Sequence, residues 1–132
     1  MKPLLRSLAA TALCALPLAA AACGGGSGGS TASDSPGEKL YRQYACAGCH
    51  SLNGSKGTGP SFKGLAGSTV TLAGGKQVKA TTAYLEKAIT DPDAEITEGF
   101  NAGLMTASID GFDLENKPED VHKLVEFIQG VK

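Results

Sequence analysis

The sequence predicts an all-α domain of three or more helices with one small β-hairpin insertion. Three segments carry apolar residues at helical spacing and have recognisable ends, and a fourth alternates apolar and polar residues around a Gly-Gly pair. The predicted domain covers 36–132, and its 97 residues suffice for one domain only. A core of this size is marginal alone, so we expect a bound group to supply part of the apolar burial.

The first predicted helix begins at Ser35-Pro36-Gly37-Glu38. This is a Ser-x-x-Glu capping box with proline at the first helical position, a combination typical of a helix N-terminus. Leu40, Tyr41 and Tyr44 continue the helix toward Cys46, where we expect it to end.

Two further helices and a hairpin follow. The second helix is predicted from about Thr82 to Thr90, because the residue before the proline of Asp91-Pro92 disfavours the helical conformation. The third begins at Asn116-Lys117-Pro118-Glu119, with a cap and an early proline. Its apolar residues at helical spacing are Val121, Leu124, Val125 and Ile128, with Phe127 beside them. The segment from Val70 to Val78 predicts the β-hairpin.

The N-terminal 22 residues are predicted to be a signal peptide. Lys2 and Arg6 precede an apolar stretch whose last residues include Ala20, Ala21 and Ala22, the small residues that export peptidases require. Cys23 follows at once and resembles the lipidated cysteine of a bacterial lipoprotein signal. Ala20 stands where such signals usually carry leucine, and ordinary secretion with cleavage after Ala-x-Ala is the alternative.

The composition after Cys23 favours a tether. Residues 23–35 are rich in Gly and Ser, too polar and flexible to pack, and a dozen such residues reach roughly 20 Å. We therefore expect a membrane-anchored lipoprotein whose folded domain lies on the extracytoplasmic, periplasmic side.

Cys46-Ala47-Gly48-Cys49-His50 is the motif that carries the chemistry. Two thiols three positions apart, followed by an imidazole, are the attachment motif of a c-type haem. Cys46 and Cys49 would each form a thioether with a vinyl group, and His50 would ligate the iron. A zinc site would need about four ligands, and a thioredoxin-like dithiol would be expected near a βαβ pattern; neither pattern is found. The sequence therefore predicts one covalent haem c.

With this motif in place, residues 36–132 resemble a class I cytochrome c. The resemblance is carried by the haem motif late in a first helix, by Gly59-Pro60, by the isolated Met105 and by the terminal helix. The stretch 59–65, the hairpin and the segment 84–92 resemble more closely the cytochrome c domains of bacterial oxidase subunit II and the lipoprotein cytochromes of alternative complex III. The resemblance implies that the first and last helices cross where Gly37 and Tyr41 meet Phe127.

The resemblance also implies a second iron ligand, Met105. An isolated methionine is otherwise often a core filler, but a thioether ligand would stabilise ferrous iron and raise the reduction potential. Met105 is predicted to lie in a glycine-bearing loop, and Thr106 stands where a proline often follows the ligand, so we expect a softer loop. His122 is the other candidate for this ligand. The simpler interpretation of His122 is a partly solvated residue on the C-terminal helix.

By the same resemblance, the Pro60 carbonyl would accept the Nδ1–H of His50 and strengthen the imidazole as a ligand. An ordinary turn proline is the alternative interpretation of Gly59-Pro60.

Charge is unevenly distributed along the chain. Without Lys2 and Arg6, ten Lys and Arg remain beside thirteen Asp and Glu. Residues 39–87 hold seven basic residues and one acid, whereas residues 91–126 hold ten acids and two lysines. In the folded domain such an asymmetry either orients the encounter with a partner or merely forms solvated faces.

These observations together favour an electron carrier over an enzyme. We expect a membrane-tethered monohaem cytochrome that passes single electrons between redox partner proteins toward a terminal oxidase, with no nucleic-acid partner. A haem sensor or peroxidase-like protein with an open distal site is the alternative, and a metal or dithiol module is the third class. A visible spectrum before and after adding carbon monoxide separates the three.

Overall fold

The structure, a computed structural model, describes residues 35–132, which form four α-helices and one two-stranded sheet. The helices are α1 (Pro36–Gln43), α2 (Thr82–Thr90), α3 (Leu104–Ile109) and α4 (Pro118–Gly130), and the strands are β1 (Thr69–Thr71) and β2 (Gln77–Lys79). The predicted signal peptide, the lipidation site Cys23 and the tether as far as residue 34 lie outside the described residues. Among residues 35–132, no helix is long and apolar enough to cross a bilayer.

Helix α1 has the predicted N-terminus. The side chain of Ser35 accepts a hydrogen bond from the backbone N–H of Glu38 at 3.1 Å. The carboxylate of Glu38 pairs with Arg42 instead of closing the capping box. The helix ends at Gln43, before the predicted end, because Ala45 adopts a left-handed conformation and Cys46 starts a separate turn.

Helix α2 and the hairpin agree with the sequence prediction. The side chain of Thr81 caps α2 by accepting from the N–H of Tyr84, and the helix ends before Pro92. Strands β1 and β2 are antiparallel, with Val70 opposite Val78. Gly74 and Gly75 both have positive φ, which glycine adopts without the steric cost of a side chain.

Helix α3 corrects the prediction that Met105 lies in a loop. The helix is only six residues long, too short for a periodic apolar pattern to be visible in the sequence. The start of α4 is a second correction: its N-cap residue is Lys117, and the predicted cap, Asn116, donates instead to the carboxylate of Asp113.

Helices α1 and α4 cross at a glycine, as the resemblance implied. A Cβ added to Gly37 would lie 2.1 Å from the carbonyl oxygen of Lys123 and 2.5 Å from the Cβ of Phe127. The rings of Tyr41 and Phe127 pack with centroids 5.4 Å apart. The close approach of two helix backbones therefore anchors the main core, whose buried members on α1, α2 and α4 include Tyr41, Leu85, Ile89, Val121, Leu124, Val125, Phe127 and Ile128.

Candidate haem-binding site

A cleft of about 430 Å³ brings the predicted site residues together. Cys46, Cys49, His50, Pro60 and Met105 all line it, although they come from three separate parts of the chain. The rest of its lining is largely apolar and includes Phe62, Leu65, Val70, Tyr84, Leu85, Ile89, Ile96, Phe100, Leu104, Ile109 and Ile128. The cleft therefore has the character of a site for a large apolar group.

A single tight turn positions the two thiols. Residues Cys46–Gly48 form a 3₁₀ turn that follows the left-handed Ala45. The N–H groups of Cys49 and His50 both donate to the carbonyl of Cys46, at 3.1 and 2.9 Å. Both cysteines are half-buried and are free thiols in this structure. Burial raises the pKa of the Cys46 thiol.

The imidazole of His50 is buried and oriented by one hydrogen bond. Its Nδ1 lies 2.7 Å from the carbonyl oxygen of Pro60. A carbonyl only accepts, so Nδ1 carries the proton and the lone pair is on Nε2. Burial lowers the pKa of His50, and the bond to Pro60 opposes this in part. The side chain is therefore held as the neutral tautomer that a metal ligand needs.

The two candidates for the second ligand lie in different environments. Met105 is half-buried on α3 and faces the same cleft as His50. His122 is not among the lining residues; its side chain on α4 is 61% exposed, and its Nε2 lies 3.4 Å from a carboxylate oxygen of Glu126. The described geometry thus brings Met105, and not His122, to the cleft.

The described residues fit a covalent haem. Two thiols one turn apart stand at the wall of an apolar cleft, next to an imidazole whose Nε2 is unprotonated. Within residues 35–132, no group of three or more His, Cys, Asp or Glu side chains is placed to hold a metal ion by itself.

Comparison with known proteins agrees with this geometry. The family model described as Cytochrome c matches residues 35–132, well over half of the chain. The chain belongs to the cytochrome c family. It therefore carries covalently bound haem c, and its fold is the expected mostly helical one with a small hairpin. No curated protein matches the chain. Cytochrome c domains carry electrons and act with redox partners, which is the general function this membership supports.

Three residues of this cytochrome c hold His50 in ways that the sequence did not reveal. Phe62 stacks on the imidazole, with ring centroids 4.6 Å apart and planes 20° from parallel. Gly59 lies against its edge, where an added Cβ would be 2.5 Å from Cε1. The hydroxyl of Tyr41 donates to the His50 carbonyl at 2.5 Å. Gly59 and Phe62 belong to the stretch that carries the resemblance, but spacing alone does not show that they touch His50.

An unpredicted acid, Asp93, binds the segment that carries Met105. Its carboxylate accepts from the N–H of Gly103 at 2.7 Å and from the hydroxyl of Thr106 at 2.8 Å. These two bonds, the first more than the second, hold the pKa of Asp93 below its usual value. No spacing in the sequence indicates this contact, since the partners are 10 and 13 residues away.

Tyr44 connects the cleft to helix α4. Its ring is buried, lines the cleft and packs against Phe112 at 5.1 Å between centroids. Its hydroxyl donates to a carboxylate oxygen of Asp120 at 2.5 Å. This bond is the main reason that the pKa of Tyr44 is raised to about 12, with burial second.

Proposed function

We propose that this cytochrome c is a membrane-tethered carrier of single electrons in which His50 and Met105 are the two axial iron ligands. The observation that carries the proposal is that both side chains line one cleft, together with the two cysteines of the attachment motif. Since the Nδ1 of His50 already binds Pro60, its Nε2 is the atom left for the iron.

Bound haem supplies the one-electron iron couple, and the chain's own residues adjust and protect it. The Pro60 carbonyl fixes the tautomer of His50 and makes it a stronger donor. The thioether of Met105 favours the ferrous state and so raises the reduction potential. The apolar side chains of the lining would cover much of the bound haem and limit its contact with water.

If His50 and Met105 both bind the iron, no axial position is left for a substrate, as expected of a carrier and not of an enzyme. A peroxidase-like or sensor function needs a distal position that exogenous ligands reach. The placement of Met105 in the cleft favours the electron carrier.

The location and the electron-transfer partners in this proposal rest on the sequence. The apolar leader, the Cys23 that follows a run of alanines and the Gly/Ser-rich segment support an extracytoplasmic lipoprotein. The resemblance of 59–65 and 84–92 to domains of oxidase subunit II and of alternative complex III supports a place beside a respiratory complex. We therefore propose that electrons pass from this protein toward a terminal oxidase.

Replacing each candidate ligand tests the coordination. Met105→Ala should remove the weak red-edge charge-transfer band of ferric iron bound to sulfur, lower the reduction potential and allow cyanide to bind readily. His122→Ala is the control and should change none of the three, because its side chain is exposed on α4. If His122→Ala abolishes the sixth ligand while Met105→Ala leaves the spectrum intact, the coordination is bis-histidine and the proposal is wrong.

Cell fractionation tests the tether. Cys23→Ser should move the protein from the membrane to the soluble extracytoplasmic fraction, because the thiol that would be lipidated is lost. A wild-type protein that is already soluble, with a mature N-terminus other than Cys, would show ordinary secretion instead.

A further inference from the structure

One carboxylate holds the chain on both sides of Met105. The Oδ1 of Asp93 accepts from the N–H of Gly103, two residues before Met105. The Oδ2 accepts from the hydroxyl of Thr106, the residue directly after it. Both oxygens of the carboxylate are therefore used, and each bond is charge-assisted.

Among the described residues, the two bonds to Asp93 are the only hydrogen bonds that join residues 103–108 to another part of the chain, although Ile109 at the end of α3 packs against the main core. Helix α3 is only six residues long, and its N-cap, Gly103, has a φ of +80° and no side chain to bind the free N–H groups of the first turn. Leu104 is 47% exposed, and Thr106 is exposed too. A helix this short is not stable by itself, so contacts from elsewhere must fix its position.

Asp93 is itself well anchored. It follows Pro92, which lines the cleft and has a restricted φ. The N–H of Asp91 donates to the carbonyl of Lys87 at 2.7 Å, and the N–H of Ala94 donates to the carbonyl of Asp91 at 3.2 Å. The carboxylate thus extends from a hydrogen-bonded turn at the end of α2, which is part of the main core through Leu85 and Ile89.

We propose that Asp93 is a positioning residue that, through Gly103 and Thr106, keeps Met105 in place as the sixth iron ligand. This inference rests on the proposed function, in which Met105 binds the iron. The hydroxyl of Thr106 gives the segment a fixed attachment point, so the ligand is released less often than it would be from a free loop.

If Asp93 only capped α3, its loss would lower the stability of the fold without changing how often Met105 leaves the iron. The distinguishing measurement is the rate at which cyanide binds to the ferric holoprotein, since cyanide enters only when the methionine leaves. The strength of the sulfur charge-transfer band and the reduction potential are measured on the same samples.

Four variants separate the possibilities. Asp93→Ala removes both acceptors, and Thr106→Val removes one donor with little change in shape. Thr106→Ser keeps the hydroxyl. Asp91→Ala removes an equal charge two residues away, at an exposed position outside the lining of the cleft.

We expect Asp93→Ala to bind cyanide faster than the wild type by at least about 2- to 10-fold, because this is the range for loss of one ordinary hydrogen bond and the variant loses two. Thr106→Val should show a smaller increase in the same direction, and both variants should have a weaker sulfur band. Thr106→Ser and Asp91→Ala should match the wild type. Should Asp93→Ala fold poorly, Thr106→Val carries the test, because it removes only an exposed hydroxyl.

The positioning role alone would be overturned if Asp93→Ala and Thr106→Val both bind cyanide at the wild-type rate and keep the sulfur band. In that case Met105→Ala still loses the band, and methionine ligation stands. An equal acceleration by Asp91→Ala would overturn it too, because charge and not the clamp would then be the cause. If the wild type has no sulfur band and Met105→Ala leaves its spectrum unchanged, methionine ligation fails and the positioning role fails with it.

Discussion

Four residues hold His50 in place, three through its imidazole and one through its backbone. Pro60 binds its Nδ1, Phe62 covers one face, Gly59 lies against its edge and Tyr41 binds its backbone carbonyl. A side chain fixed from several directions has little freedom to reorient when the iron changes its charge. Preorganisation of this kind suits a carrier that must exchange an electron without rearrangement.

At the same scale, the Tyr44–Asp120 bond predicts a pH dependence. The pKa of Tyr44 is about 12 in the folded protein, against 10.0 for an ordinary tyrosine. Between these values the unfolded chain has lost the phenolic proton and the folded protein keeps it, so stability falls as pH rises from about 10 to about 12. Below pH 10 the Tyr44–Asp120 bond makes its full contribution to the stability of the fold.

Tyr44→Phe should therefore flatten the alkaline loss of stability and cost about 0.5–1.5 kcal/mol at neutral pH, the range for one hydrogen bond. Denaturant unfolding of the holoprotein at pH 7 and across the alkaline range measures both effects. Tyr84→Phe, which removes a phenol from another wall of the cleft, is the control and should retain the alkaline loss. An unchanged alkaline slope in Tyr44→Phe would contradict the account.

At the scale of elements, local signals predicted some parts of the fold and not others. The limits of α2 and the position of the hairpin follow from capping residues, Pro92 and the Gly74-Gly75 pair, all readable within a few residues. Helix α3 is not predictable from its sequence, because six residues show no period. Asn116 is not the cap of α4, because its side chain donates to Asp113, a contact that depends on the turn before the helix.

The residues of the site also fall into two groups, those that the sequence predicts and those that it does not. The spacing of Cys46, Cys49 and His50 is set by the geometry of the haem, so the sequence alone predicts their roles. The contacts of Gly59, Phe62 and Asp93 form only when the chain folds. No pattern of spacing in the sequence predicts them.

The crossing of α1 and α4 gives a prediction at this scale. Gly37→Ala would place a Cβ 2.1 Å from the carbonyl oxygen of Lys123, so the helices must separate. We expect a loss of about 1–3 kcal/mol in the free energy of unfolding, the usual cost of overpacking.

Gly130→Ala is the matched control, because its added Cβ meets no atom within 4 Å. It lies at the end of α4 and should be neutral or slightly stabilising, since alanine favours helix by up to about 1 kcal/mol. Thermal unfolding of both holoproteins makes the comparison, and equal stability in the two variants would show that the crossing is not tight.

At the scale of the whole molecule, charge is less separated in space than along the chain. Lys76 and Lys87, from the basic half, approach the carboxylate of Glu95 to 3.6 and 4.0 Å. Asp93, Glu95 and Glu98 line the cleft, and no lysine or arginine does so among the described residues. The cleft is thus largely apolar but carries three carboxylates and no basic side chain, a local charge that would favour the approach of a positively charged redox partner.

The central claim is that this cytochrome c carries haem with both axial positions filled by its own residues, and adding carbon monoxide to the reduced wild-type holoprotein tests it most directly. We expect no change in the visible spectrum, because binding of the iron by both His50 and Met105 would leave carbon monoxide no open position. Rapid binding by the unaltered protein would contradict the account and establish an open distal site.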